Sequence, residues 1–194
     1  MPRLITALFL ASIFSGASMT SSATPKAGAG TPLISFQSPE EASTWRTVND
    51  DVMGGRSLGK SAVEGGQLLF SGVINTNGGG FSSVRRQMQP GALEDAQAII
   101  LSVKPDGRSY KLIAQTDARF NGRAVSYQAP IPTSPAGEWS DVRVAVSDFV
   151  PSVFGRIVPA RAFSPAKVTE LGFIIADDVD GDFALSVKSI RTER

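Results

Sequence analysis

The sequence predicts an all-β fold, an antiparallel β-sandwich, because short apolar runs recur between turn residues from residue 33 onward. About nine such runs appear, at the spacing typical of a sandwich or barrel. Several alternate apolar with polar or small side chains, as in Val142–Val146 and Phe183–Val187, which is the pattern of a strand buried on one face. Helical periodicity is scarce. Residues 90–97 allow one short turn, and Pro and Gly interrupt residues 149–165, which predicts a long loop.

Two connections carry the Asp-Gly pair that is typical of hairpin turns. Asp106-Gly107 and Asp180-Gly181 each lie between two apolar runs. A short turn of this kind commonly joins neighbouring antiparallel strands. We therefore expect a hairpin at each position.

The N-terminal residues 1–23 have the pattern of a secretory signal peptide, with one positive charge at Arg3, an apolar run over Leu4–Phe14 and small residues after it. An uncleaved anchor is the alternative, although the apolar run is well short of the roughly 20 residues that span a bilayer. Residues 24–32 predict a flexible leader, and residues 33–194 predict a single β-sandwich domain. The mature protein is expected to be exported, to the periplasm or the extracellular space, without membrane insertion.

Composition restricts the chemistry that the mature chain can perform. Loss of residues 1–23 leaves 18 basic and 18 acidic residues, since only Arg3 is charged there. A neutral chain argues against nucleic acid or an anionic membrane as partner. The sequence has no cysteine and no histidine, which excludes Ser-His-Asp and Cys-His nucleophiles, thiolate or imidazole zinc sites and haem held by those residues. Carboxylate, lysine or tyrosine chemistry stays open, but the composition favours binding without catalysis or a cofactor.

Two glycine-rich segments form the candidate functional region. Residues 48–57, VNDDVMGGRS, combine acidic, basic and hydroxyl side chains with adjacent glycines, and residues 70–86 carry a triple glycine before two arginines. Glycine permits positive φ or close approach to the backbone, and Asp stabilises turns. One interpretation is an elaborate turn, with Met53 in the core and Arg56 paired with an aspartate. The other is a surface for a polar ligand or a partner, and neither segment fits a phosphate-binding loop.

A motif within these segments is specific enough to indicate a family. The stretch D-x-V-M-G-G-x-S is followed by a later G-G-F, and matching positions extend along the chain: Trp45, Val48–Ser57, Phe70–Gly72, Gly78–Arg85, Gly107–Tyr110 and Trp139. Over about residues 34–191 the chain resembles the domain of the complex I intermediate-associated protein 30 family. The resemblance implies a galactose-binding-like, jelly-roll β-sandwich. It also implies a protein similar to chaperones, which bind assembly intermediates of the respiratory NADH dehydrogenase without catalysis.

The resemblance implies a binding module whose partner is another protein, such as a membrane component of a respiratory complex. We expect the two segments to lie close together, with Asp50 or Asp51 accepting hydrogen bonds from backbone amides, and Arg56 or Arg85 facing the partner. The candidate binding residues, of which all but Asp51 and Arg56 match signature positions of the family, are Asp50, Asp51, Met53, Gly54, Gly55, Arg56, Ser57, Gly79, Gly80, Phe81 and Arg85.

Carbohydrate binding is the alternative function. Four aromatic residues suggest it, because any of them could stack on a sugar ring: Trp45, Tyr110, Tyr127 and Trp139. Aromatic residues at strand positions are, however, more often buried in a core.

The acidic residues Asp178, Asp180 and Asp182 offer oxygen ligands for calcium. The glycine of this run comes too early for an EF-hand, and position twelve holds Ser189 instead of glutamate. A turn is therefore favoured, and no metal site is predicted. Adjacent acid pairs elsewhere do not predict glycoside hydrolysis, since neighbouring residues of a strand point to opposite faces. No catalytic residue is predicted.

Overall fold

Thirteen antiparallel strands build two sheets within the part of the chain that the structure, a computed structural model, describes: residues 30–38, 40–132 and 134–194. The strands are β1 (Thr31–Ser35), β2 (Trp45–Asn49), β3 (Leu58–Glu64), β4 (Gln67–Ile74), β5 (Ser82–Gln87), β6 (Ala98–Pro105), β7 (Tyr110–Phe120), β8 (Arg123–Pro130), β9 (Ser140–Ala145), β10 (Val150–Val153), β11 (Arg156–Ile157), β12 (Glu170–Ile175) and β13 (Gly181–Glu193). The helices there are short: α1 (Glu41–Thr44), and 3₁₀ helices over Asp50–Met53, Val146–Asp148 and Pro165–Lys167.

The two sheets have interleaved strand orders. The six-stranded sheet has the order β3-β4-β13-β6-β9, and β1 pairs with the C-terminal part of β13. The seven-stranded sheet has the order β11-β10-β8-β7-β12-β5-β2. Many neighbours in these sheets are distant in sequence, so the chain crosses repeatedly between two layers, as in a jelly roll. The predicted fold class, an antiparallel β-sandwich, is confirmed.

The core lies between the two sheets and is filled by alternate residues of their strands. In β13, for example, Phe183 and Val187 point into the core, as the two-residue period of that run predicts. The Trp45 ring lies 5.8 Å from the ring of Phe36 and 6.2 Å from the ring of Phe173, measured between centroids. These contacts link β2 to β12 through the interior.

The two Asp-Gly connections predicted as hairpins pass instead from one sheet to the other, so that prediction is wrong. β6 and β13 belong to the six-stranded sheet, whereas β7 and β12 belong to the seven-stranded sheet. The Asp-Gly pair turns the chain in either setting. Sheet membership is decided by pairing between distant segments, such as β13 with β4 and β6, which a local turn signal does not encode. Two-residue hairpins occur instead at 65–66, 121–122 and 154–155.

Two predicted boundaries need correction. β1 begins at Thr31, so the end of the predicted leader 24–32 belongs to a strand. β10 and β11 form a hairpin inside residues 149–165, which were expected to be a loop. The predicted signal peptide, residues 1–23, lies outside the described residues, and the single domain stays a prediction. Among the described residues, no helix combines the length and apolar character needed to cross a bilayer.

Candidate functional site

The Asp50 carboxylate joins the two glycine-rich segments at one end of the sandwich. Asp50 begins the 3₁₀ helix after β2 and is fully buried. Its Oδ1 accepts a hydrogen bond from the backbone N of Ser57 at 2.8 Å, and its Oδ2 accepts one from Ser57 Oγ at 2.6 Å. Oδ2 also accepts from the backbone N of Gly80 at 2.6 Å and of Phe81 at 3.3 Å. The expected contact between the segments, an aspartate that accepts from backbone amides, is therefore present.

Neighbouring polar side chains extend this network to the adjoining strands. The Ser57 hydroxyl oxygen accepts a hydrogen bond from the backbone N of Asn75 at 3.1 Å. Asn49 Oδ1 accepts from Ser82 Oγ at 2.7 Å and from the backbone N of Gly59 at 3.0 Å. The ends of β2 and β4 and the starts of β3 and β5 are thus tied together by side chains where the regular strand pairing stops.

Burial and hydrogen bonding act on the pKa of Asp50 in opposite directions. Burial raises the pKa of this carboxyl group, whereas hydrogen bonds from Ser57, Gly80 and Phe81 lower it. The hydrogen bonds outweigh burial, so the pKa lies below the ordinary value for an aspartate. Asp50 is therefore ionised at neutral pH although it is buried.

Replacing Asp50 with Asn should lower the free energy of unfolding by about 2–4 kcal/mol at neutral pH, because an amide cannot accept from all of these donors. A folded-state pKa below the unfolded value means that this stabilisation is complete above about pH 4 and is lost as the pH falls through the folded-state pKa. The free energies of unfolding of wild type and Asp50→Asn, measured with urea, should therefore differ less at about pH 3 than at about pH 7.

The matched control for this change is Asp51→Asn, which removes the same charge at an exposed neighbour. It should alter the free energy of unfolding by less than about 0.5 kcal/mol. Equal losses in Asp50→Asn and Asp51→Asn would contradict the role assigned to Asp50.

Two glycines allow the backbone to approach the Asp50 carboxylate. A Cβ at Gly55 would lie 2.2 Å from Asp50 Cγ, and a Cβ at Gly79 would lie 2.3 Å from Asp50 Oδ2. Gly54 meets a different need, because its φ is +86° and a Cβ there would have no neighbour within 4 Å. The adjacent glycines of the motif therefore have separate physical causes, a left-handed turn at one and clearance for the acid at the other.

Gly79→Ala should destabilise the fold more than Gly54→Ala does. The first substitution must displace the Asp50 carboxylate from its donors, at about 3 kcal/mol or more. The second adds only the strain of a side chain at positive φ, about 1–2 kcal/mol. Thermal unfolding of the two variants measures the order, and a greater loss in Gly54→Ala would show that clearance around Asp50 does not govern this site.

A third loop, residues 177–182, packs beside the second glycine-rich segment. Asp180 Oδ1 accepts a hydrogen bond from the backbone N of Thr76 at 2.6 Å. Arg108, in the β6–β7 connection, donates through Nε and Nη2 to the two carboxylate oxygens of Asp177 at 3.0 and 2.6 Å. Burial raises the pKa of Asp177, but this guanidinium lowers it below the usual value. The two-pronged ion pair fixes the third loop at the same end of the sandwich.

Arg108 also engages carbonyl oxygens of the acidic loop. Its Nη1 donates to the carbonyl oxygens of Gly181 and Asp182 at 2.8 and 2.9 Å, and its Nη2 donates to that of Val179. Oxygens of this kind are what Ca²⁺ binds, and here they accept from the guanidinium. Within residues 30–38, 40–132 and 134–194, no group of three His, Cys, Asp or Glu side chains is arranged to hold a metal ion. The candidate calcium ligands Asp178, Asp180 and Asp182 therefore do not form such a group.

Only part of the predicted binding set reaches the surface. Asp50, Ser57 and Gly80 are buried, so they shape the loops and cannot touch a partner directly, contrary to expectation. Gly55 and Phe81 are half-buried. The exposed members of the set are Asp51, Met53, Gly54, Arg56 and Gly79.

Met53 lies at the surface. The interpretation of this segment as an elaborate turn predicts it in the core, so that part of the interpretation is wrong. Its side chain is 55% exposed, because the inward position at this turn is taken by Asp50 and its donors. Arg56 is exposed and forms no ion pair within the described part of the chain, so it is not paired with Asp50 or Asp51.

Four further exposed apolar residues accompany Met53, and sequence reasoning missed them: Val52, Leu58, Val73 and Val179. Leu58 and Val73 lie opposite each other in the β3–β4 pair, and Leu58 is 71% exposed. We call these five residues the apolar loop surface. A signal existed in the sequence, since Val73 breaks the alternation of β4 by placing an apolar side chain on the outward phase.

Arg85 lies on the outer face of the seven-stranded sheet, within β5 and not in the loop that holds Arg56. Its Nε donates to Ser83 Oγ at 3.1 Å. Burial lowers its pKa, and the nearby Glu170 carboxylate raises it. Glu170 is buried and pairs with Arg46 at 2.8 Å. The alternation of side chains along β5 turns Arg85 to the outer face of the sheet. There it belongs to a polar network with Ser83 and Glu170.

The aromatic residues proposed for sugar stacking do not form an open platform. Lys188 Nζ lies 4.1 Å and Lys104 Nζ 5.5 Å from the ring centroid of Trp139, which is half-buried. These ammonium groups lie over the Trp139 ring and would compete with a sugar for stacking on it. The other three candidates are buried: Trp45, Tyr110 and Tyr127.

Comparison with known proteins assigns the family. The profile of the family described as complex I intermediate-associated protein 30 matches residues 34–187, which is most of the chain. The chain belongs to the complex I intermediate-associated protein 30 family. The resemblance inferred from the D-x-V-M-G-G-x-S motif is confirmed.

Curated relatives from animals support this assignment at low identity. Complex I intermediate-associated protein 30, mitochondrial, from Mus musculus is 23% identical over 175 residues, which cover 80% of this chain and 53% of the mouse protein. The probable complex I intermediate-associated protein 30, mitochondrial, from Caenorhabditis elegans is 28% identical over 94 residues, covering 47% of this chain and 28% of the nematode protein. The chain spans about half the length of the mouse relative. It matches an even smaller share of the nematode relative.

Solved structures show the same fold. The family 11 carbohydrate-binding module of the cellulosomal cellulase Lic26A-Cel5E of Clostridium thermocellum is 14% identical, with a TM-score of 0.54 over 75% of this chain and 88% of that chain. The family 11 module of that organism in complex with a β-1,3-1,4-mixed-linked tetrasaccharide is 13% identical, with a TM-score of 0.53 over 78% and 91%. The predicted galactose-binding-like jelly roll is therefore confirmed at the level of fold.

The prediction of export is wrong in the light of these relatives. The mouse and nematode proteins are named as mitochondrial members of the same family. The prediction rested on one positive charge and an apolar run near the N-terminus, in residues that lie outside the described part of the chain. Such a short pattern is shared by segments with other roles, and so it does not decide destination by itself.

Proposed function

We propose that this chain is a non-catalytic module that binds another protein through the apolar loop surface. The observation that carries the proposal is the exposure of Val52, Met53, Leu58, Val73 and Val179 on or beside three loops. Hydrogen bonds join these loops: buried ones to Asp50, and an exposed one from Thr76 to Asp180. Large apolar side chains clustered at a surface mark interaction sites more often than isolated ones do.

The composition of this surface suits a protein partner. Methionine and aliphatic side chains provide a contact that excludes water, and the exposed Asp51 and Arg56 provide a polar rim. The buried network under the loops supports binding as well. Because Asp50 and Arg108 fix the loops before any partner arrives, less conformational entropy is lost on association.

The family supports the kind of partner. Relatives are named for association with intermediates of complex I, and we infer that this chain likewise contacts a protein component of a respiratory complex during assembly. The non-catalytic part of the proposal is supported by the acids of the site. Asp50 is buried and saturated with donors, and Asp177 is paired with Arg108.

Carbohydrate binding is not favoured as a second function. The likeness to carbohydrate-binding modules is one of fold, and the aromatic residues that suggested sugar stacking are buried or covered. Shared folds host different binding functions, so the site has to carry the argument.

A photo-crosslinking amino acid placed at position 53 or 58 in cells should capture protein subunits or assembly intermediates of complex I, because both side chains lie in the proposed contact. Position 128, on the outer face of the seven-stranded sheet, is the control and should capture far less. The double variant Met53→Ser/Leu58→Ser should weaken co-purification with those subunits by about tenfold or more. Its melting temperature should stay within about 2 °C of wild type, since both residues are exposed. Equal crosslinking from all three positions, or undiminished co-purification of the double variant, would remove the support for this surface.

A further inference from the structure

Two neighbouring hairpin turns project at the end of the seven-stranded sheet that lies farthest from the apolar loop surface. β7 starts at Tyr110, which pairs with Ile175 just before the third loop. From there the strand runs away from the third loop and ends at Phe120. The β7–β8 hairpin closes at Asn121-Gly122. The β10–β11 hairpin closes beside it, because β8 also pairs with β10. We call residues 119–124 and 153–157 the hairpin tips.

The second tip holds a phenylalanine in a conformation that disfavours it. Phe154 has φ +48° and Gly155 has φ +74°, the two positive values that a tight hairpin turn of this kind requires. The adjacent turn meets the same requirement with Asn121 at +49° and Gly122 at +77°, the residue pair that tolerates it best. A bulky side chain at positive φ is strained. Phe154 is nevertheless 66% exposed, so burial of its ring contributes little to offset that strain.

The hairpin tips that hold this exposed apolar residue also carry three arginines. The Arg123 guanidinium carbon lies 5.0 Å from the centroid of the Phe154 ring. Arg119 and Arg156 are also exposed, and within the described residues none of these three arginines pairs with an acid. Ile157, on the edge strand β11, is 77% exposed. The tips thus combine apolar groups with uncompensated positive charge.

The near-neutral composition of the chain hides this charge separation. Residues 117–124 and 150–161 carry four arginines and a single aspartate, Asp117, which is paired with Arg161 and Lys167. The described part of the chain as a whole holds 18 acidic residues against 17 basic ones, since Arg3 and Lys26 lie outside it. The near-zero total charge therefore does not exclude an anionic partner at this end of the molecule.

We propose that the hairpin tips dock on the surface of an anionic lipid bilayer, with Phe154 and Ile157 entering the interface and Arg119, Arg123 and Arg156 contacting lipid phosphates. Peripheral binding of this kind combines buried apolar area with attraction to anionic headgroups, and both are present here. Projecting turns suit a planar, deformable surface, since they need no complementary groove. The occupant is a lipid surface, and a protein at this place is an outcome that would overturn the proposal.

The decisive variant is Phe154→Asn, which separates docking from folding. Asn-Gly is the preferred pair for this turn, so the variant should unfold at the same or a higher temperature than wild type. Loss of the aromatic group should reduce binding by about tenfold or more. The measurement is co-sedimentation of the full chain with phosphatidylcholine vesicles that contain about 30 mol% phosphatidylglycerol.

The charge component is tested with Arg123→Gln/Arg156→Gln, which should weaken binding to the same vesicles by about 25-fold, or about fivefold for each arginine. The matched control, Lys60→Gln/Lys188→Gln, removes two exposed positive charges on the six-stranded sheet and should bind as wild type does. Wild-type binding should also fall in about 0.5 M salt, because screening shortens the reach of these charges.

Three results would overturn the proposal. The first is wild-type protein that sediments with neither kind of vesicle, or equally with pure phosphatidylcholine. The second is Phe154→Asn protein that binds anionic vesicles as tightly as wild type. The third is a photo-crosslinker at position 154 that captures a protein in cells and no lipid, which would assign the hairpin tips to a protein partner.

Discussion

The buried Asp50 carboxylate is the interaction on which the loop end of the sandwich depends. Connections between strands contain amide groups that lack strand partners, and a buried amide without a partner is costly. One carboxylate accepts from three such amides and a hydroxyl, in two segments that are distant in sequence. Because these polar groups satisfy each other inside, the apolar side chains of the same loops lie outside, where they form the proposed contact surface.

Features encoded locally could be predicted from the sequence, and features set by distant pairing could not. The run Gln67–Val73 was recognisable because strand alternation is a local property, and it became β4. The Asp-Gly connections were misjudged because a turn does not reveal which sheet receives the next strand. Within the site, the meeting of Asp50 with the second segment followed from the need of amides for an acceptor. The exposure of Met53 did not follow, since nothing local shows that an acid occupies the inner position.

Two surfaces with different chemistry stand at opposite ends of one rigid element. β7 has 11 residues, so roughly 35 Å separates its start, near the apolar loop surface, from its end at the hairpin tips. A protein at one end and a lipid surface at the other can therefore be engaged at the same time without competing for space. Such an arrangement would hold a bound protein at a defined height above a bilayer, with the sandwich as spacer.

Arg108 joins two of the connections that cross between the layers. The β6–β7 and β12–β13 connections both carry the chain from one layer to the other, and Arg108 in the first grips Asp177 in the second. Apolar contacts between the two layers have no preferred direction, so they do little to oppose the sliding of one layer over the other. A directional clamp across two crossings at one corner opposes that sliding. Relative movement of the two sheets at this corner would therefore have to break the ion pair between Arg108 and Asp177.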